Sequence, residues 1–205
     1  VAALLVAADV GARVAVEEEL RRRVAAEVPA GSGPVDASVR SFPFLGRLLL
    51  SGRVGEVRAS VAGVEAGGIR FLRAGVTLSR VRVDRDRLVR AREVVLEGVG
   101  EGIAFAEIGE RELERLLGVP VSIGRGRATV TVEGVAVTAE VRVDDGVVRA
   151  RVAGLALPAV PIPQLPFLPC VGGAELGEGR LRVTCRVDEV PPELLARVPP
   201  VRAGG

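Results

Sequence analysis

Asp84 with Asp86, and Asp144 with Asp145, are the carboxylate pairs of this chain on which acid–base catalysis or a hard metal ion could be built. Each pair falls where the sequence predicts a hairpin turn. Turns favour Asp because its side chain bonds the backbone beside it. The repeated oxygen ligands of an EF-hand loop are missing around both pairs. Other groups on which catalysis draws are absent from the whole chain. Without His there is no Ser–His or Cys–His nucleophile and no imidazole metal site. Without Lys there is no Schiff base and no phosphate-loop lysine; all 28 basic residues are Arg. Tyr and Trp are missing too, and five Phe make no platform for stacked bases. No catalytic residue, metal site or cofactor is therefore assigned, and nucleic acid is not an expected partner.

Cys170 and Cys185 stand fifteen apart, too far for a CxxC redox motif and too few for a zinc site. They are either two inert buried thiols or one disulfide, which would close a loop worth about 3 kcal/mol in the chain-entropy account. Net charge is only +2, and 48% of the 205 residues are hydrophobic against 2% aromatic. That length fits one domain, expected over residues 9–199 with a loose tail at 200–205. The composition favours strands and aliphatic packing over chemistry.

The elements must therefore be read for what they enclose. Val1–Ala8 is apolar but far shorter than the ~20 residues that span a bilayer. It is either the trimmed end of a signal or anchor segment or the buried first turn of a helix. Val10, Val14, Val16, Leu20, Val24 and Val28 recur at helical spacing, predicting a helix that Pro29 ends. Val35–Arg40 alternates as a short strand. From Val54 the period is two. Along Ile69–Val83 the apolar parity switches twice, from Ile69 and Phe71 to Ala74, Val76 and Leu78, then to Val81 and Val83. Such switches predict bulges or strong twist in a curved sheet.

Arg80–Arg92 reads as an Arg-dense turn. Eight Arg stand against two Asp over Arg70–Arg92, and seven Glu against two Arg over Glu93–Gly118. The basic stretch is either the polar side and tip of a hairpin or a patch for a membrane surface. Acidic residues facing it would favour the hairpin. Glu93–Phe105 predicts a strand. Glu107–Leu117 predicts a helix with Ile108, Leu113, Leu116 and Leu117 inward, a Glu107–Arg111 pair on its surface, and Gly118 and Pro120 at its end. Val121–Val152 is the clearest β region, a meander with Asp145-Gly146 as its hairpin turn and one apolar face. Ten extended residues reach roughly 33 Å, comparable to a phospholipid. Leu155–Cys170 sets five Pro among large apolar residues, which excludes helix and central strand and suits a cover over the core. Arg180–Val187 is the last strand, and Pro191–Leu195 starts a short helix.

Ser41–Arg53 (SFPFLGRLLLSGR) places Phe42 and Phe44 around Pro43. Pro43 suits the first turn of a helix, Leu45, Leu48 and Leu49 follow at i, i+3 and i+4, and Gly52 suits its end. This short apolar helix is either a core plug or one wall of a ligand cavity. The run Ser41-Phe42-Pro43-Phe44-Leu45, Leu48-Leu49, Gly52-Arg53 and Val54-Gly55-Glu56-Val57 resembles the LmeA-type family of actinobacterial cell-envelope proteins. That family usually has Gly where this chain has Ser41. The order of later segments extends the resemblance over roughly Ala8–Pro199. The resemblance implies a tubular lipid-binding fold, an extracytoplasmic location, phospholipid binding and, in some members, a role in lipoglycan maturation. Outside the cytoplasm, the disulfide is the favoured reading of Cys170 and Cys185.

The expected fold is α+β: a long, strongly curved antiparallel sheet wrapped around an N-terminal helix and two short helices. The expected function is non-catalytic binding of a phospholipid by a monomer, with a membrane surface as a further partner. Its apolar wall is expected from Phe42, Phe44, Leu45, Leu48 and Leu49, from Phe71 and Phe105, from Leu116 and Leu117, and from Ile162, Leu165 and Phe167. The second reading is a solid-core scaffold that docks an envelope glycosyltransferase. An enzyme is the weakest of the three.

Overall fold

A computed structural model of the chain describes residues 2–91, 93–144, 146–152, 154–162, 170, 172–188 and 201–202. The N-terminal periodicity forms helix α1 (Ala2–Glu27), which runs without a break through residues 2–8. Its strands follow in chain order as β1 (Val35–Arg40), β2 (Arg53–Ala66), β3 (Ile69–Val83), β4 (Glu93–Val94), β5 (Leu96–Gly109), β6 (Val121–Gly124), β7 (Arg127–Val132), β8 (Val135–Asp144), β9 (Val147–Val152), β10 (Leu155–Ala156), β11 (Val160–Pro161), β12 (Gly173–Gly177), β13 (Arg180–Asp188) and β14 (Val201–Arg202). Three short helices complete it: α2 (Phe44–Ser51), α3 (Arg85–Ala91) and α4 (Glu110–Leu117).

The fold is α+β, with two antiparallel sheets and no closed barrel among the described residues. The first sheet has the order β1-β2-β3-β5-β13-β12. The second has the order β10-β9-β8-β7-β6, with β11 also on β9. A small third pairing joins β4 to β14, so Val201 and Arg202 of the expected loose tail are hydrogen-bonded in a ladder. The parity switches along β3 are real features of the sheet. Its register against β5 shifts between Phe71 and Arg73 and again between Arg82 and Val83, and Arg80 takes a positive φ of 53°.

Both sheets present a free edge, and a helix closes each. At β1, the Val39 N–H donates to the Glu17 carboxylate of α1 (2.8 Å). At β6, the outward N–H groups of Val121 and Ile123 donate to Glu114 (3.2 Å) and Glu110 of α4. Edge strands left open invite pairing with other chains, and a covering helix removes that hazard.

Three elements differ from the sequence reading. Val10, Val14 and Val16 are exposed, whereas Asp9 is buried and Ala12, Arg13 and Glu17 are half-buried. The rotation of α1 follows its polar contacts: Asp9 accepts the Leu45 N–H at the start of α2 (2.6 Å), and Glu17 accepts Val39. Only Leu20, Val24 and Val28 keep the half-buried positions that the periodicity assigns them. The Arg-dense turn contains α3, whose first turn is held by Asp84 accepting the Arg87 N–H (3.0 Å). The helix expected at Glu107 starts at Glu110, because Ile108 continues β5 and sits fully buried between Phe71 and Leu181. Glu107 accordingly pairs with Arg180 (3.5 Å) and Arg182 (3.7 Å) of the neighbouring strand, not with Arg111. The short helix expected at Pro191–Leu195 lies outside the described residues.

Candidate lipid-binding face

The register of the first sheet sets its inner side chains in rows. Val39, Val57, Leu78, Gly102 and Val187 form one row. Ala37, Ala59, Val76, Ala104 and Cys185 form the next, then Val35, Val61, Ala74, Ala106 and Val183. Val64, Phe71, Ile108 and Leu181 close the hairpin end. Small residues occupy the middle rows, and bulk returns at both ends.

Burial follows the same axis. The hairpin end belongs to the main core, which joins Phe71, Ile108 and Leu181 to Leu113 of α4 and to Val121, Ile123, Val148, Val160 and Ile162 of the second sheet and its margin. A second cluster lies at the far end, where Phe44 of α2 is buried among Val39, Val54, Val81, Val83 and Val99. Between the two, Val57, Val76, Leu78 and Val187 are only half-buried.

The two sheets and α4 line a cavity of about 20 Å³ with no polar lining. Leu113 and Leu117 of α4 close one side, Ala139, Val141, Val148 and Ala150 another, and Leu176 and Leu181 the third. This holds about one water molecule, far below the ~300 Å³ at which small-molecule pockets begin. α4 bolts that end. Besides Glu110 and Glu114 on β6, Glu112 accepts the Arg70 N–H (3.0 Å), and Arg115 donates to the Gly68 carbonyl (2.6 Å) at the β2–β3 turn. The hydrogen bond from Arg115 holds the Glu112 carboxyl below the ordinary carboxylate range, aided by the Arg70 N–H and opposed by partial desolvation.

The residues singled out in the sequence fall into separate groups. Phe44, Leu45 and Leu48 pack in the second cluster under α2. Phe71, Leu116, Leu117 and Ile162 lie in the main core at the other end, and Leu117 lines the cavity. Phe42 and Leu49 are exposed. Phe105 points to the opposite face of the sheet from Ala104 and Ala106, lies over Gly75, and carries the Arg182 guanidinium 4.1 Å above its ring. Leu165 and Phe167 lie outside the described residues. The half-buried row of Val57, Leu78 and Val187 was not singled out, although its alternation was visible. Its place between two clusters depends on the register, which one strand read alone does not reveal.

Cys170 and Cys185 form a disulfide with 5.2 Å between Cα atoms, tying the end of the Pro-rich segment to the inner face of β13. Asp84 serves α3, Asp144 ends β8, and Asp145 lies outside the described residues. Among the described residues no group of three or more His, Cys, Asp or Glu is placed to hold a metal ion. None of their helices is long and apolar enough to cross a membrane.

Two antiparallel sheets bracketed by helices around a largely aliphatic interior define a protein whose inner surfaces suit apolar matter. Residues 7–186 match the LmeA-like phospholipid-binding family, and the chain belongs to that family. No curated protein and no solved structure matches it.

Proposed function

We propose that the protein is a non-catalytic, extracytoplasmic phospholipid-binding protein that sequesters or presents a lipid and supports lipoglycan maturation in the cell envelope. Membership of a phospholipid-binding family carries this reading. The inner face of the first sheet supplies the chemistry. Acyl chains need apolar area and no hydrogen bonds, and the rows from Val57 to Val187 offer aliphatic area only. The way in is the half-buried stretch around Val76 and Leu78, between the cluster under α2 and the main core. The Cys170–Cys185 disulfide supports an oxidising compartment.

A cavity of about 20 Å³ favours a second reading, a solid-core scaffold that docks an envelope glycosyltransferase. Native mass spectrometry of protein purified without detergent, followed by lipid extraction, separates the two. A lipid carrier is expected to retain a stoichiometric phospholipid, and Val76→Phe and Leu78→Gln to reduce it at unchanged secondary structure. A clean apo mass that also rejects added phospholipid would leave the scaffold.

A further inference from the structure

We propose that the α2–α3 end of the molecule is a docking surface for an anionic lipid bilayer. Leu50 is 79% exposed, Phe42 70% and Leu49 47%, all on or beside α2, and Val89 of α3 is 61% exposed. The two helices stand side by side: the Arg85 guanidinium donates to the Leu50 carbonyl (3.3 Å), and the Val83 N–H donates to the Gly52 carbonyl (2.8 Å). Four apolar side chains therefore project from one end of the long β2–β3 pair.

Cations surround them. Arg47, Arg53 and Arg90 are exposed, and none of the three makes an ion pair among the described residues. Among the described residues, Asp84 and Asp86 engage Arg87 (3.6 Å) and Arg85 (3.9 Å) and no other arginine of this end. Of the acidic stretch, Glu93 and Glu97 lie beside this end, where Arg47, Arg53, Arg82, Arg85, Arg87 and Arg90 stand against them and the two Asp. The rest points elsewhere: Glu101 pairs with Arg186, Glu107 with Arg180 and Arg182, and Glu112 with Arg115. Glu110 and Glu114 serve the edge of β6.

Charge and shape select the occupant. Exposure of 70% or more belongs to protruding side chains, which would gain little from a flat protein face. A bilayer takes such tips at the headgroup–acyl boundary, while long arginines stay at the phosphates. Negative lipids meet the unpaired arginines directly. Docking would turn the exposed side of α2 to the membrane and leave its buried side, with Phe44, Leu45 and Leu48, on the protein core. The surface stands whether or not a lipid is held inside the protein.

The test is sedimentation of the full chain with vesicles of phosphatidylcholine, with and without phosphatidylglycerol. Wild type is expected to bind the anionic vesicles preferentially, and salt to weaken that binding. Leu50→Ser and Val89→Ser are each expected to lower partitioning about tenfold. Arg47→Ser and Arg90→Ser are each expected to lower it about fivefold. All four sites are exposed, so an unchanged melting curve separates lost docking from lost folding, and unchanged co-purified lipid separates it from lost lipid binding. Equal binding to neutral and anionic vesicles, or variants that bind as wild type does, would overturn the proposal. So would a concentration-dependent dimer that Leu50→Ser dissolves in the absence of any vesicle binding, because the face would then meet a second copy of the chain.

Discussion

Glu112 accepts the Arg70 N–H and the Arg115 guanidinium, and these bonds hold its carboxyl below the ordinary 4.5. A carboxyl lowered on folding gives stability that is fully present above the unfolded value and is lost as pH falls through the folded one. Glu112→Gln is therefore expected to destabilise the protein near neutral pH by about 1 kcal/mol, a modest figure because Arg115 lies in solvent. The gap to wild type is expected to narrow as pH falls below 4.5 and to close once Glu112 is protonated in the folded protein as well, since both side chains are then uncharged. Thermal melts of the two proteins across that range check it, and a gap unchanged at low pH would place the effect elsewhere. Partners of this kind were hidden in the sequence. Glu107 and Arg111 have helical i,i+4 spacing, yet Glu107 lies in a strand and meets arginines more than seventy residues away. Phe105 was ambiguous because its neighbours Ala104 and Ala106 are apolar too, so either parity could have faced the core.

Elements with strong local signals were legible. α2 ends at Gly52 in the left-handed region (φ 64°) as its sequence requires, and α4 ends likewise at Gly118 (φ 72°). Pro43 precedes α2 and caps its start in an extended conformation. α1 was legible as a helix but not in its orientation, because valines mark a face only when nothing polar competes for it. The disulfide between Cys170 and Cys185 acts at this scale, fastening the Pro-rich segment to β13. Its removal by Cys170→Ser with Cys185→Ala is expected to cost about 3 kcal/mol, from the freedom returned to the unfolded chain. Urea unfolding of the oxidised, reduced and doubly substituted proteins measures this. Coincident transitions would mean that the β13 ladder alone keeps the segment in place.

At the scale of the molecule, the alternation of β6 to β9 announced a meander, and local turns joined each strand to the next. The division into two sheets was not legible, because it depends on β5 pairing with β13 across a long stretch of chain that includes the whole second sheet. That division creates the aliphatic space between the two sheets and α4, and the space distinguishes carrier from scaffold. Ala139 and Ala150 both line it. Replacing Ala150 with Val adds bulk to a void of about 20 Å³, and at ~24 cal/mol per Å³ of cavity the gain in stability is expected to be about 0.5 kcal/mol. In a solid-core scaffold that gain is the whole effect, and docking of a partner is unaltered. In a carrier whose sheets part around an acyl chain, the void marks where packing is weakest, so the same methyls are expected to raise the melting temperature and lower phospholipid uptake together. Calorimetry and lipid uptake measured on one preparation of Ala150→Val distinguish the outcomes: stability up with uptake unchanged would move the lipid away from this space and onto the Val76–Leu78 stretch of the first sheet.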